Sequence, residues 1–175
     1  MKRILVLALG LLVVPSLVAA QVEIGVDAGL HIEKITDVDG TGIDFGVPVS
    51  GVRLGFPAGE TIIVETMLDL GYSKFGDNKV TTLALVPGVN ILVGDQFYVR
   101  PEAGLSYAKF DNGTTDVSST QLLFGGAAGI RQPLGMGGAI LRLEAGVDRL
   151  LENEDDGIPS SWDIRFVVGV SAVVN

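Results

Sequence analysis

The sequence predicts an all-β fold, an eight-stranded antiparallel up-and-down transmembrane β-barrel, and three observations predict it. The segment FYVRPEAGLSYAKF alternates with a period of two from Phe97 to Phe110. Phe97, Val99, Pro101, Ala103, Leu105 and Tyr107 share one face, and Tyr98, Arg100, Glu102, Gly104, Ser106 and Ala108 share the other. Successive side chains of a strand point to opposite sides of a sheet, so one face is greasy and the other combines charges with small residues, as when the apolar side meets lipid and the polar side the lumen. Second, the mean hydropathy is +0.46, yet beyond residue 20 no apolar run approaches the ~20 residues of a spanning helix. Third, eight such segments are joined alternately by short turns and longer polar stretches, with both ends of the chain on the short-turn side.

Residues 1–20 read as a secretory signal peptide: Lys2 and Arg3, an apolar run from Ile4 to Val14, then Val18-Ala19-Ala20 before Gln21. The barrel domain is then 21–175. The first strand, Val22 to Glu33, sets Val22, Ile24, Val26, Ala28, Leu30 and Ile32 against Glu23, Gly25, Asp27, Gly29, His31 and Glu33, and a polar loop is expected from Lys34 to Phe45. The second strand, about Gly46 to Phe56, turns Val52 and Leu54 outward and Arg53 inward before the turn Pro57-Ala58-Gly59-Glu60. The third, Thr61 to Ser73, turns Glu65, Asp69 and Gly71 inward, and a loop is expected from Lys74 to Lys79. The fourth, Val80 to Val93, contains Pro87, which cannot donate to a ladder, so a bulge or local irregularity is expected there.

After Gly94-Asp95-Gln96 comes the Phe97 strand, with a loop expected from Asp111 to Ser119. The sixth strand, Thr120 to Gln132, turns Gln121, Gly125, Gly129 and Arg131 inward and ends at Pro133. The seventh, Gly138 to Leu150, turns Arg142, Glu144, Gly146 and Asp148 inward; the acidic stretch from Leu151 to Ser161 follows. The eighth, Trp162 to Val174, turns Asp163, Arg165, Gly169 and Ser171 inward.

Strand parity also sorts the charges. Arg53, Arg100, Arg131, Arg142 and Arg165 fall on the inner face with Glu23, Asp27, Glu65, Asp69, Glu102, Glu144 and Asp163, joined by Glu33, Asp148 and His31. An eight-stranded barrel has just enough interior for side chains to fill, so these groups are expected to form a salt-bridged polar plug; a narrow cation-preferring path is the alternative. Lys34, Lys74, Lys79, Lys109 and Arg149 continue the outer face, only at the loop end and above Tyr72, Tyr107 and Trp162. They form a rim that grips lipopolysaccharide phosphates or simply snorkels to water.

Removing residues 1–20 takes away two basic residues from 12, leaving 10 Lys and Arg against 21 Asp and Glu, a net charge of -11. So acidic a chain argues against nucleic acid. There is no cysteine, hence no disulfide, thiolate site or cysteine nucleophile. Asp37-Val38-Asp39-Gly40-Thr41-Gly42 opens like a calcium loop, but Pro48 stands where a bidentate Glu should close it, so it reads as a solvated loop. His31 is the single histidine, a candidate general base beside Asp27 or Glu33, with no visible nucleophile. Neither a cofactor nor a metal is called for.

Tyr98-Val99-Arg100-Pro101-Glu102-Ala103-Gly104, Gly129-Ile130-Arg131-Gln132-Pro133-Leu134-Gly135, the signal peptide and the final alternating strand together make the mature chain resemble the small bacterial outer-membrane β-barrels, namely the OmpA-like transmembrane domain and its OmpX-like and opacity-type relatives. That resemblance implies residence in the bacterial outer membrane among its lipids and lipopolysaccharide. It also implies a terminal aromatic residue, where this sequence ends Val173-Val174-Asn175. The expectation is a monomeric, non-enzymatic barrel that is structural or meets a surface partner through its acidic loops. The alternatives are a cation pore, a lipid-modifying enzyme and a soluble lipocalin-like barrel with its apolar face inward.

Overall fold

The structure, a computed structural model, describes residues 21–36, 42–135 and 137–174. The signal-peptide reading of 1–20, the calcium-like stretch from 37 to 41 and the terminal Asn175 lie outside the described residues. The eight strands are β1 (Val22–Ile35), β2 (Gly42–Pro57), β3 (Ile62–Phe75), β4 (Asn78–Val93), β5 (Phe97–Asp111), β6 (Asp116–Pro133), β7 (Ala139–Leu150) and β8 (Ser161–Val174). Each pairs antiparallel with its neighbours in sequence, and β1 pairs with β8, so the sheet closes into a barrel.

The stagger of that closure can be followed through the register. Glu23 faces Gly55, then Glu65, Gly88, Glu102, Gly125, Asp148, Asp163 and finally Glu33, ten residues further along the strand where the path began. Stagger and strand number together fix the tilt and width of a barrel. The same path shows how the interior is filled: carboxylates on β1, β3, β5 and β7 alternate with glycines on β2, β4 and β6, so Glu23, Glu65, Glu102 and Asp148 each lie beside a neighbour with no side chain.

The faces divide as the period-two pattern requires. Tyr98, Arg100 and Glu102 are buried while Phe97, Val99, Pro101 and Ala103 are exposed, and on β8 Arg165, Val167, Gly169 and Ser171 are buried beneath exposed Phe166, Val168 and Val170. Buried charges thus stand behind a continuous apolar exterior. On the β3–β7 side, Met67, Val86 and Leu123 form a small buried apolar cluster against Ala84 and Leu150.

The expected loops need correction. The loops opposite the termini are shorter than their polar composition suggested: β2 begins at Gly42, β3 runs to Phe75, β4 starts at Asn78 and β6 at Asp116. Antiparallel pairing simply continues, Phe75 facing Asn78 across the two-residue turn Gly76-Asp77, and Asp111 facing Asp116. A tilted strand needs only ~9–11 residues to cross a bilayer, so polar sequence there extends the ladder into water. At Pro87 the expected local irregularity takes the form of a thinned β4–β5 ladder with the register kept, Leu85 facing Leu105, Gly88 facing Glu102 and Ile91 facing Val99. A shift of register falls between β1 and β2, where Asp27 faces Gly51 but Gly29 faces Gly46.

Candidate functional site

Two assemblies of charged residues stand out, one inside the barrel and one on its outer rim. Inside, Arg53 rises from β2, Arg100 from β5, Arg142 from β7 and Arg165 from β8, each no more than 2% exposed. A guanidinium carries five donors in a planar fork, so burying four requires many acceptors. Glu65 and Glu144 supply most of them. Glu65 Oε1 accepts from Arg53 Nη1 at 2.8 Å and Arg100 Nη1 at 2.7 Å. Its Oε2 accepts from Asn90 Nδ2 at 3.1 Å and lies 2.6 Å from Arg142 Nη1. Glu144 accepts from Arg53 Nη2 at 3.1 Å, from Arg100 Nη2 at 2.9 Å and from the Tyr98 hydroxyl at 2.6 Å.

The remaining charges radiate from this pair. Asp27 accepts from Arg53 Nε, while Glu102 and Asp148 both accept from Arg165. Arg131 and Arg142 face each other across β6 and β7, a repulsive pairing by itself. Glu23, reaching over from β1, accepts from Arg131 and lies 3.7 Å from Arg142 Nε; it also accepts from Ser171 Oγ at 2.5 Å. Arg142 further stacks 5.4 Å from the Tyr98 ring centre. Toward the loop end the packing loosens: Asp69 and Asp163 are half-buried, and Glu33 is exposed at the mouth. His31 Nδ1 lies 2.9 Å from Asp163 Oδ2, so its partner is neither Asp27 nor Glu33.

Sequence reasoning missed Tyr98 and Asn90, both buried and both bonded to the central glutamates. Their inward parity was legible, but period-two alternation does not say which inward polar groups meet. It also passed over Ile63, Met67, Val86 and Leu123, apolar residues at inward positions and buried there.

On the rim the five basic residues are not equivalent. Lys79 Nζ donates to Asp111 at 3.3 Å, and Lys109 Nζ to Asp116 at 2.8 Å. The Lys109 ammonium holds the Asp116 carboxyl below the usual carboxylate range, and the Gly113 amide, with Lys79, does the same for Asp111. Arg149 donates to Thr36 Oγ1 at 3.1 Å and Ser160 Oγ at 2.6 Å, with its guanidinium 5.0 Å from the Trp162 ring centre. Lys34 faces Trp162 across β1 and β8, and Lys74 faces Lys79 across β3 and β4.

A closed eight-stranded wall, charged within and apolar without, is the fold of the small outer-membrane β-barrels. Solved structures of that fold resemble the chain over nearly its whole length. Neisserial surface protein A superposes with a TM-score of 0.60 at 14% identity, over 87% of this chain and 97% of that one. Ail, the attachment invasion locus protein of Yersinia pestis, superposes with a TM-score of 0.55 at 13% identity, over 89% and 99%. A major outer membrane protein of Thermus thermophilus does so with a TM-score of 0.50 at 16% identity, over 89% and 100%. No family model matches the chain, and no curated protein matches it in sequence.

Proposed function

We propose that this protein is a monomeric outer-membrane barrel with a sealed interior, serving as a structural element or a platform for surface partners and catalysing no reaction. In this reading residues 1–20 direct export, and residues 21–175 form the barrel. The observation that carries it is the interior itself. Four arginines and their carboxylates fill the section where a pore would run. The apolar cluster of Met67, Val86 and Leu123 adds a water-poor layer on one side. A charge held by this many ion pairs is a plug and cannot hand an ion onward, since conduction requires sites weak enough to release it.

The exposed face at the loop end suits contact with partners. Strands there outrun the bilayer, and the β7–β8 loop presents Glu152, Glu154 and Asp155 on a hairpin closed by the Asn153 to Ile158 bridge. Ail has been solved with the heparin analogue sucrose octasulfate; for the present chain the acidic loop favours cationic surface partners over such a polyanion.

Planar-bilayer recording of the purified protein tests the sealed interior. Silent membranes under an applied potential are expected. Well-resolved steps with cation selectivity would replace this reading with a small pore, as the excess of inner carboxylates would then imply.

A further inference from the structure

The register arranges the outer face into levels. At the loop-side rim Lys34, Trp162, Arg149 and Phe124 are consecutive neighbours across β1, β8, β7 and β6. One level below stand Ile32, Ile164, Val147, Gly126 and Pro101, and the next holds Leu30, Phe166, Ala145, Ala128 and Val99. The small residues Gly126, Ala128 and Ala145 leave a hollow between larger neighbours. Two contiguous apolar troughs occupy it, of about 880 Å³ and 600 Å³, both bordered by Val99, Ala128 and Ala145 and the larger one by Phe97 and Phe166. The hollow therefore begins ~7–13 Å below the cations, two to four residues at about 3.3 Å each.

The rim above is built to hold anions in place. Arg149 is oriented by Thr36, Ser160 and the Trp162 ring and, with two of its five donors engaged in those hydrogen bonds, keeps others free. Lys34 stands on the far side of Trp162, two strand spacings or ~10 Å away. That separation suits two phosphates on one headgroup. Lys79 and Lys109, by contrast, are already neutralised by Asp111 and Asp116.

We propose that this face binds one molecule of a bisphosphorylated, multiply acylated lipid of the lipid A type, with its phosphates on Arg149 and Lys34 and acyl chains in the paired troughs. The proposal rests on the outer-membrane reading and narrows the rim of five basic residues to two. Its test is native mass spectrometry of the barrel purified from outer membranes, titrated with lipid A or with phosphatidylglycerol.

One bound lipid A is expected, with phosphatidylglycerol weaker. Lys34→Gln and the trough-filling Ala145→Leu should each weaken lipid A binding by about tenfold, the size of one charge-assisted hydrogen bond or one lost apolar contact. Lys74→Gln should leave it unchanged. Equal binding of phosphatidylglycerol, indifference to Ala145→Leu, or an equal loss in Lys74→Gln would overturn the site. Heat-dependent gel mobility separates the two readings: a barrel that shows it but fails these comparisons loses only the lipid site, whereas a protein that never enters membranes loses both.

Discussion

Glu144 accepts from two arginines and a tyrosine. Its neutralisation would remove one of the two carboxylates that Arg53 and Arg100 share, the other being Glu65. Breaking one partner from a buried ion pair costs about 3–5 kcal/mol, so Glu144→Gln should lower the stability of the refolded barrel by that order, measured from urea unfolding in lipid or detergent. Tyr98→Phe removes one neutral donor and should cost less, about 1–3 kcal/mol. Which of the inward groups pair was not readable in advance. Arg53 and Glu144 are 91 positions apart, and alternation assigns each an inward direction without saying at what height their tips meet.

At the scale of the strand, the interior works because glycines stand beside the large groups. The Asp148 carboxylate occupies the space that a side chain on Gly125 would take, and Asp27 and Asp69 do the same over Gly169 and Gly51. A methyl on Gly125 would also meet the Asp148 Cα at 2.8 Å. Backbone cannot step aside as a flexible side chain can. Gly125→Ala should therefore destabilise by about 1–3 kcal/mol through overpacking. Gly126→Ala, whose new methyl would point to lipid with the Arg100 carbonyl 3.3 Å away, should cost distinctly less in the same unfolding assay. An equal cost would mean that the glycines serve the backbone and not the space above it.

The strands were the most legible part of the sequence, since a period of two survives even where composition is mixed. Their ends were not. Asp, Asn and Gly near residues 74–79 and 111–119 signal turns, yet the ladder continues through most of them because two short turns, Gly76-Asp77 and Asn112 to Thr115, suffice to reverse the chain. Pro87 perturbs its ladder in the milder of the two ways expected. A missing donor thins a ladder locally, whereas a bulge needs an extra residue in one strand, and here β2 supplies the extra residues opposite Asp27 and Gly29.

For the whole molecule, the account turns on which way the wall faces. Parity yields two sets of residues, and a soluble ligand-binding barrel would hide the apolar set, whereas this structure buries the charged one. The signs of the rim follow from the same choice: among the described residues, basic side chains stand on the outer face only beside Trp162 or loopward of Tyr72 and Tyr107, where headgroups would lie.

Trp162, the one tryptophan in the chain, lies on the outer face and is 48% exposed, which makes the orientation of the wall directly measurable. The decisive experiment is depth-dependent quenching of its fluorescence in liposomes carrying nitroxide labels at the headgroup, along the acyl chain or near its end. The account predicts strong quenching that peaks near the headgroup and fades toward the bilayer centre. Fluorescence untouched by labels at every depth, with the protein remaining in the aqueous phase, would contradict it.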